Sequence, residues 1–257
     1  MEYEPSSMFG IAGEVAIVTG AARGIGREVA LGMGRLGARM VLADLDAKSL
    51  EEAAGELRKQ GVDALAVPTD VTSEASAEAL AARAVEKYGR IDILVNCAGV
   101  LHNEPAIGFD MDKWQLVMDV NVKGTFLACR AAGRRMLERK KGRIVNFSSI
   151  RGAQGKDKYH AYGPSKGAIN MLTRTLAVEW AKDGINVNAV APTFTLTDIN
   201  RSLLSDKQMY DWVISRIPKG RLCEPRWIVG PVVFLCSPSA EFVTGAILYV
   251  DGGWTAG

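Results

Sequence analysis

The sequence predicts a single α/β domain with a doubly wound, mostly parallel seven-stranded sheet, and three observations point that way. Seven short apolar runs end in glycine, aspartate, serine or proline, and amphipathic helical stretches separate most of them. The runs are continuously apolar rather than alternating, as expected of strands buried on both faces. The chain of 257 residues is 48% hydrophobic and 23% charged, enough apolar material for one large core. No linker, repeat or low-complexity tract divides it, so the domain is expected to span residues 1–257, with 1–8 a loose lead-in.

In order, EVAIVTG is the first strand and REVALGMGRLGA the helix after it. ARMVLAD is the second strand, followed by the helix DAKSLEEAAGELRKQG. DALAVPTD, IDILVNCAG, GRIVNFSS and INVNAVAP are four further strands, separated by helical patterns at 73–88, 112–138 and 160–182. AILYVDGG closes the sheet. Between the sixth and seventh strands, residues 193–218 are expected to form a lid over the substrate.

A net charge of +2 offers no basis for nucleic-acid or membrane-surface binding. No apolar run is long enough to span a bilayer, and the opening MEYEPSSM is too polar for a secretory signal. Four scattered cysteines and two histidines argue against a zinc site and for a reducing compartment, so a cytoplasmic protein with no metal is expected.

In such sheets a ligand binds beyond the carboxyl ends of the strands. After strand 1, Gly20, Arg23, Gly24, Ile25 and Gly26 form a GxxxGxG turn that opens a helix. Glycines there permit close backbone approach to a pyrophosphate, and the helix N-terminus favours its charge. The Gly-Lys-Ser/Thr ending of a P-loop is missing. Asp44, ending strand 2, is placed to accept hydrogen bonds from ribose hydroxyls and to repel a 2′-phosphate. NAD is therefore expected over NADP, although Arg23 pulls the other way. After strand 3, Asp70 and Val71 are candidates for adenine contact, with Asp70, Thr72 and Ser73 competing to cap the next helix. After strand 4, Asn96 and Gly99 bring small residues to the crevice.

The pentapeptide YGPSK sets Tyr162 and Lys166 four residues apart, hence on one face of a helix that must begin close to Pro164. From these five residues alone, a solvated tyrosine–lysine pair at a helix start is the simpler reading.

Along about residues 9–253 the chain resembles the short-chain dehydrogenase/reductase family. The resemblance rests on TGAARGIG, NCAG, Asn121 in VMDVNVKG, FSS thirteen residues before YGPSK, and NAVAP, all in that family's order. It implies a Rossmann-type fold, homotetramer assembly, and a catalytic tetrad of Asn121, Ser149, Tyr162 and Lys166. Tyr162 would be the base, and a cation ~4 Å away could lower its pKa by about three units. Lys166 would also hold the nicotinamide ribose, Ser149 the substrate oxygen and Asn121 a proton-relaying water. Thr195 and Thr197 would reach the carboxamide.

Two departures stand out: Pro192-Thr193 where many members have Pro-Gly, and Cys97 in place of a frequent asparagine. The segment 149–160 carries Arg151, Lys156, Lys158 and His160, and the lid carries Asn200, Arg201 and Lys207. This cation-rich lining suggests a hydroxylated, anionic small-molecule substrate such as a sugar acid. Arg151 is then the carboxylate clamp, with His160 and Arg201 as further candidates. The chain's end also resembles the sugar-acid members of the family. A 3-oxoacyl-thioester reductase and a non-catalytic NAD-binding sensor are the alternatives.

Overall fold

In the computed structural model, residues 8–197 and 205–257 are described. Among them, seven strands form one sheet in the order β3-β2-β1-β4-β5-β6-β7, every neighbouring pair parallel. The strands are β1 Val15–Thr19, β2 Arg39–Asp44, β3 Ala64–Pro68, β4 Ile93–Asn96, β5 Gly142–Phe147, β6 Ile185–Pro192 and β7 Ile247–Val250. The helices are α1 Gly24–Arg35, α2 Ala47–Lys59, α3 Glu74–Tyr88, α4 Met111–Met118, α5 Gly124–Arg139, α6 Tyr162–Trp180, α7 Lys207–Arg216 and α8 Arg226–Cys236.

Pleating sends successive side chains to opposite faces. Ala16, Val18, Met40 and Leu42 pack with α1, α2 and α8, while Val15, Ile17, Val41 and Ala43 pack with α3, α5 and α6. Each strand therefore needs apolar residues at every position, which is why the runs read as continuous. No helix among the described residues is long and apolar enough to cross a membrane.

The chain differs from its expected plan in three places. The helical stretch 112–138 is two helices joined by a π-helical turn, Asp119–Lys123, which carries Asn121. The lid region contains α7, capped by Asp206, whose carboxylate accepts from the Met209 N–H. α8 is a helix the apolar pattern does not announce: RWIVGPVVFLC is nearly all apolar, with Pro231 inside it, and lacks the polar stripe of an amphipathic helix.

The sheet order reverses between β1 and β4, and there the crevice opens. In register, Thr19 faces Ala43 on one side and Asn96 on the other, so Gly20, Leu45 and Cys97 are released near the same level. The buried Thr19 hydroxyl accepts from the N–H groups of Cys97 and Ala98, both at 3.2 Å, tying the two strand ends together.

Candidate active site

The crevice is a cavity of about 300 Å³. Of the residues predicted to hold a dinucleotide, Gly20, Arg23, Gly24, Ile25, Gly26, Asp44, Asp70, Val71, Gly99 and Thr197 line it. The glycine turn is built for close approach. Gly20 has φ +67°, and a Cβ there would lie 2.8 Å from the Ala98 backbone; one on Gly26 would lie 2.2 Å from the Gly20 carbonyl. Arg23 sits at the N-cap of α1 without capping it through its side chain, so the first helical N–H groups face the crevice uncapped. A cradle that a Cβ would fill, beside an uncapped helix start, fits a pyrophosphate.

Asp44 does more than mark a strand end. One carboxylate oxygen accepts from the Ala22 N–H and the other from the Asp46 N–H, each at 3.1 Å. The same side chain thus braces the glycine turn from behind. Asp70 accepts from the N–H and hydroxyl of Thr72, at 2.9 and 2.7 Å, while Ser73 caps α3. Leu45, Thr69, Val100 and Val120 also line the cavity and went unpredicted as contacts. Their signal is positional, since each lies within a few residues of a strand end or of the π-helical turn.

Four predicted cofactor contacts, Asn96, Thr195, Tyr162 and Lys166, are not at the cavity wall. Asn96 is buried inward, its amide donating to Asn146 Oδ1 at 2.9 Å and to Cys129 Sγ at 3.2 Å. As the last residue of β4 it still obeys the pleat, which turns its side chain to the face covered by α5. Thr195 is also buried: its hydroxyl donates to the Thr193 carbonyl at 3.1 Å, and it pairs with Cys223 as a β-bridge. Thr193 itself keeps a negative φ, so the substitution of threonine for glycine forces no left-handed residue into this turn. Burial pushes the Cys97 thiol up to about 12, leaving a protonated wall residue.

The four tetrad residues meet where Gly99 leaves the cavity. A Cβ on Gly99 would lie 3.3 Å from Asn121 Oδ1 and 3.8 Å from Lys166 Nζ. Asn121 is fully buried and its amide is fully engaged. Its Oδ1 accepts from the Val100 N–H at 2.8 Å, and its Nδ2 donates to the Val100 carbonyl and to Ser165 Oγ, both at 3.0 Å. The Asn121 carbonyl accepts from the Thr125 hydroxyl at 2.7 Å.

Ser149 begins the short 3₁₀ turn Ile150–Gly152, its hydroxyl accepting from the Arg151 N–H at 3.2 Å. It also hydrogen-bonds the Tyr162 phenol. Tyr162 is the first residue of α6, and Lys166 Nζ lies 5.5 Å from the centre of its ring. The ammonium donates to the Phe147 carbonyl at 2.6 Å.

The electrostatics reverse one expectation. Burial pushes the Tyr162 phenol up to about 12, with the Ser149 hydrogen bond opposing it. Burial brings the Lys166 ammonium down to about 8. The prediction counted the attraction between phenolate and ammonium and omitted the cost of removing each from water, which here is larger. At neutral pH the protein's own groups hold the phenol protonated.

On the substrate side Arg151 and Lys156 are withdrawn from solvent, whereas Lys158 and Lys207 are exposed charges. Arg151 is 8% exposed and lies over the rings of Tyr159 and Trp254. Lys156 lies 4.3 Å from the Trp212 ring centre and pairs with Asp157 at 3.3 Å. His160, next in the chain after Tyr159, is exposed. Asn200 and Arg201 lie outside the described residues. Trp254, from the last residues of the chain, is the contact that sequence reasoning missed.

The chain matches the family model described as enoyl-(acyl carrier protein) reductase over residues 20–255. It is 37% identical to 5-keto-D-gluconate 5-reductase of Escherichia coli (strain K12) over 96% of this chain and 98% of that one. It is 41% identical to galactitol 2-dehydrogenase (L-tagatose-forming) of Cereibacter sphaeroides over 99% of both. Among solved structures, a gluconate 5-dehydrogenase from Burkholderia cenocepacia J2315 in complex with NADP and tartrate superposes with a TM-score of 0.96. That protein is 34% identical, and the match covers 99% of this chain and 100% of the other.

Proposed function

The chain belongs to the short-chain dehydrogenase/reductase family of NAD(P)-dependent oxidoreductases acting on alcohol groups, and on that premise we propose that it interconverts a secondary alcohol and its ketone on a sugar or sugar acid. The observation that carries this reading is the gathering of Asn121, Ser149, Tyr162 and Lys166 beside Gly99 at the end of the dinucleotide cavity. Relatives named for galactitol, gluconate and 5-ketogluconate support the polyhydroxylated substrate class.

When bound, the dinucleotide supplies the hydride acceptor or donor and, oxidised, a positive charge at its nicotinamide. The protein does the rest. Ser149 orients the substrate oxygen toward the Tyr162 hydroxyl, which gives a proton to a ketone oxygen or takes one from an alcohol. Lys166 holds positive charge 5.5 Å from the centre of that ring, where it would oppose the burial that keeps the phenol protonated. Asn121 fixes the backbone at Val100 and so the wall against which the nicotinamide end would rest. Gly20 and Gly26, with the α1 N-terminus, would hold the pyrophosphate.

Asp44 supports NAD over NADP, because a second anion beside its carboxylate is repelled; Arg23 at the same wall opposes this. A homotetramer is supported by apolar side chains left exposed on the long helices and near β7. Val178 is 84% exposed, Met171 59% and Phe242 104%, and light scattering would give the assembly size. A cytoplasmic setting fits the four unpaired thiols.

The test is Tyr162→Phe, assayed with NAD and a panel of sugar acids and polyols. Turnover should fall by about 10²–10⁴-fold while NADH quenching of protein fluorescence persists. Undiminished turnover would remove Tyr162 from the proton path.

A further inference from the structure

The Arg151 guanidinium has no hydrogen-bond acceptor and no carboxylate partner among the described residues, and its Nη2 is buried. Among the described residues the other deeply buried cations are supplied: Lys166 has the Phe147 carbonyl, and Arg143, also 8% exposed, lies 3.8 Å from Glu241. Arg151 has only ring faces, with its Cζ 5.9 Å from the Tyr159 ring centre and 5.2 Å from that of Trp254. Cation–π contacts satisfy the face of a guanidinium but not its in-plane N–H fork. A buried fork without acceptors is unfavourable unless something planar and anionic completes it.

Its position narrows what that is. Arg151 and Ser149 share one turn, and the Ser149 hydroxyl holds the Arg151 N–H. Tyr159 packs edge-on against Tyr162 at 6.0 Å and carries the Arg151 guanidinium over its own ring, so one aromatic side chain touches both the phenol and the guanidinium. Trp254 is fixed by its indole N–H, which donates to Gln154 Oε1 at 2.9 Å, and by Trp212, 5.7 Å away. Arg216, 5.8 Å from the Trp254 ring centre, adds positive charge.

We propose that Arg151, flanked by Tyr159 and Trp254, binds the carboxylate of a polyhydroxy monocarboxylic acid and makes this chain select sugar acids over neutral polyols. The proposal rests on the dehydrogenase reading given above and names the substrate class within it. A single fork suits a planar carboxylate better than a phosphate dianion, because the neighbouring Lys156 is already paired with Asp157.

The experiment measures kcat/KM at saturating dinucleotide for D-gluconate, D-glucitol and D-glucitol 6-phosphate, in the wild type, Arg151→Met and Arg151→Lys. The expected result is wild-type preference for gluconate, with the gluconate-to-glucitol ratio falling about 30-fold or more in Arg151→Met. Arg151→Lys, which keeps charge and loses the fork, should fall between them. NADH quenching and melting temperature of each variant are read alongside. A ratio unchanged within threefold, with both substrates losing equally and the melting temperature lowered, would make Arg151 a structural brace and overturn the proposal. Wild-type preference for glucitol or its phosphate would also overturn it and leave the dehydrogenase reading standing. Wild-type turnover of none of the three, or of any related sugar acid or polyol, would instead overturn that reading and the proposal with it.

Discussion

Lys166 Nζ donates a 2.6 Å hydrogen bond to the main-chain carbonyl of Phe147, the last residue of β5. The bond pins an ammonium at the strand's carboxyl end, 5.5 Å from the Tyr162 ring centre and near Gly99. A flexible four-carbon stem is thereby fixed without a carboxylate, so its charge stays available to the phenol and to a ligand.

Stability should carry the mark of that burial. Lys166 titrates at about 8 in the folded protein against 10.5 for the free side chain. Below about pH 8 both states hold the proton and folding bears the full cost. Between about 8 and 10.5 the native state sheds it first, so this group's contribution improves as pH rises. Tyr162, folded at about 12 against 10.0, has the opposite sign: its contribution is complete below pH 10 and lost on going to 12. Relative to Lys166→Met, the wild type should gain roughly 2–3 kcal/mol between pH 7.5 and 10 in urea denaturation. Parallel pH curves for the two proteins would contradict this.

Asp44→Ala should do two things at once. Removing the carboxylate relieves repulsion of a 2′-phosphate, so the NADPH-to-NADH ratio of Kd values should shift toward NADPH by about tenfold, or roughly 1.4 kcal/mol. It also strips the acceptor from the Ala22 and Asp46 N–H groups, costing roughly 1–2 kcal/mol of stability. Fluorescence titration and thermal melts separate the effects. A shift in stability with no change in cofactor ratio would assign Asp44 to the turn alone.

Asn121→Leu keeps the branching at Cγ and the number of heavy atoms and deletes the amide. The Val100 N–H and carbonyl would lose their partners in the interior, for a loss of roughly 2–4 kcal/mol. Because Val100 lines the cavity, dinucleotide affinity should weaken together with the melting temperature. Unchanged NADH binding in a destabilised variant would confine Asn121 to a packing role.

Gly20→Ala tests the close approach. At φ +67° a Cβ is strained, and it would meet the Ala98 backbone at 2.8 Å. We expect a loss of roughly 2 kcal/mol or more and failure to quench fluorescence with NADH. A variant that binds NADH normally would show the turn to be adaptable.

What was legible in the chain follows from how local each signal is. The glycine turn, Asp44 and Gly99 could be placed because each sits a residue or two beyond a buried strand, and strand ends in a parallel sheet share one edge. The direction of the Asn96 side chain was not legible: it is the last residue of β4, where the pleat turns its amide to Asn146 and Cys129. The π-helical turn at Asn121 has no apolar signature, because it is held by hydrogen bonds to Val100 and Ser165 from other segments. The Tyr162 pKa went the other way because burial cannot be read from neighbouring residues alone.

The order of strands and helices, the glycine turn and the Tyr162–Lys166 face were determined by the sequence itself. They depend on periodicity and on backbone freedom, which act over a few residues. Only the tertiary structure decided that Arg151 is buried between Tyr159 and a tryptophan from the chain's last turn, and that Lys166 rests on Phe147. Desolvation and long-range pairing set those charges, and both depend on which distant segments the fold brings against them.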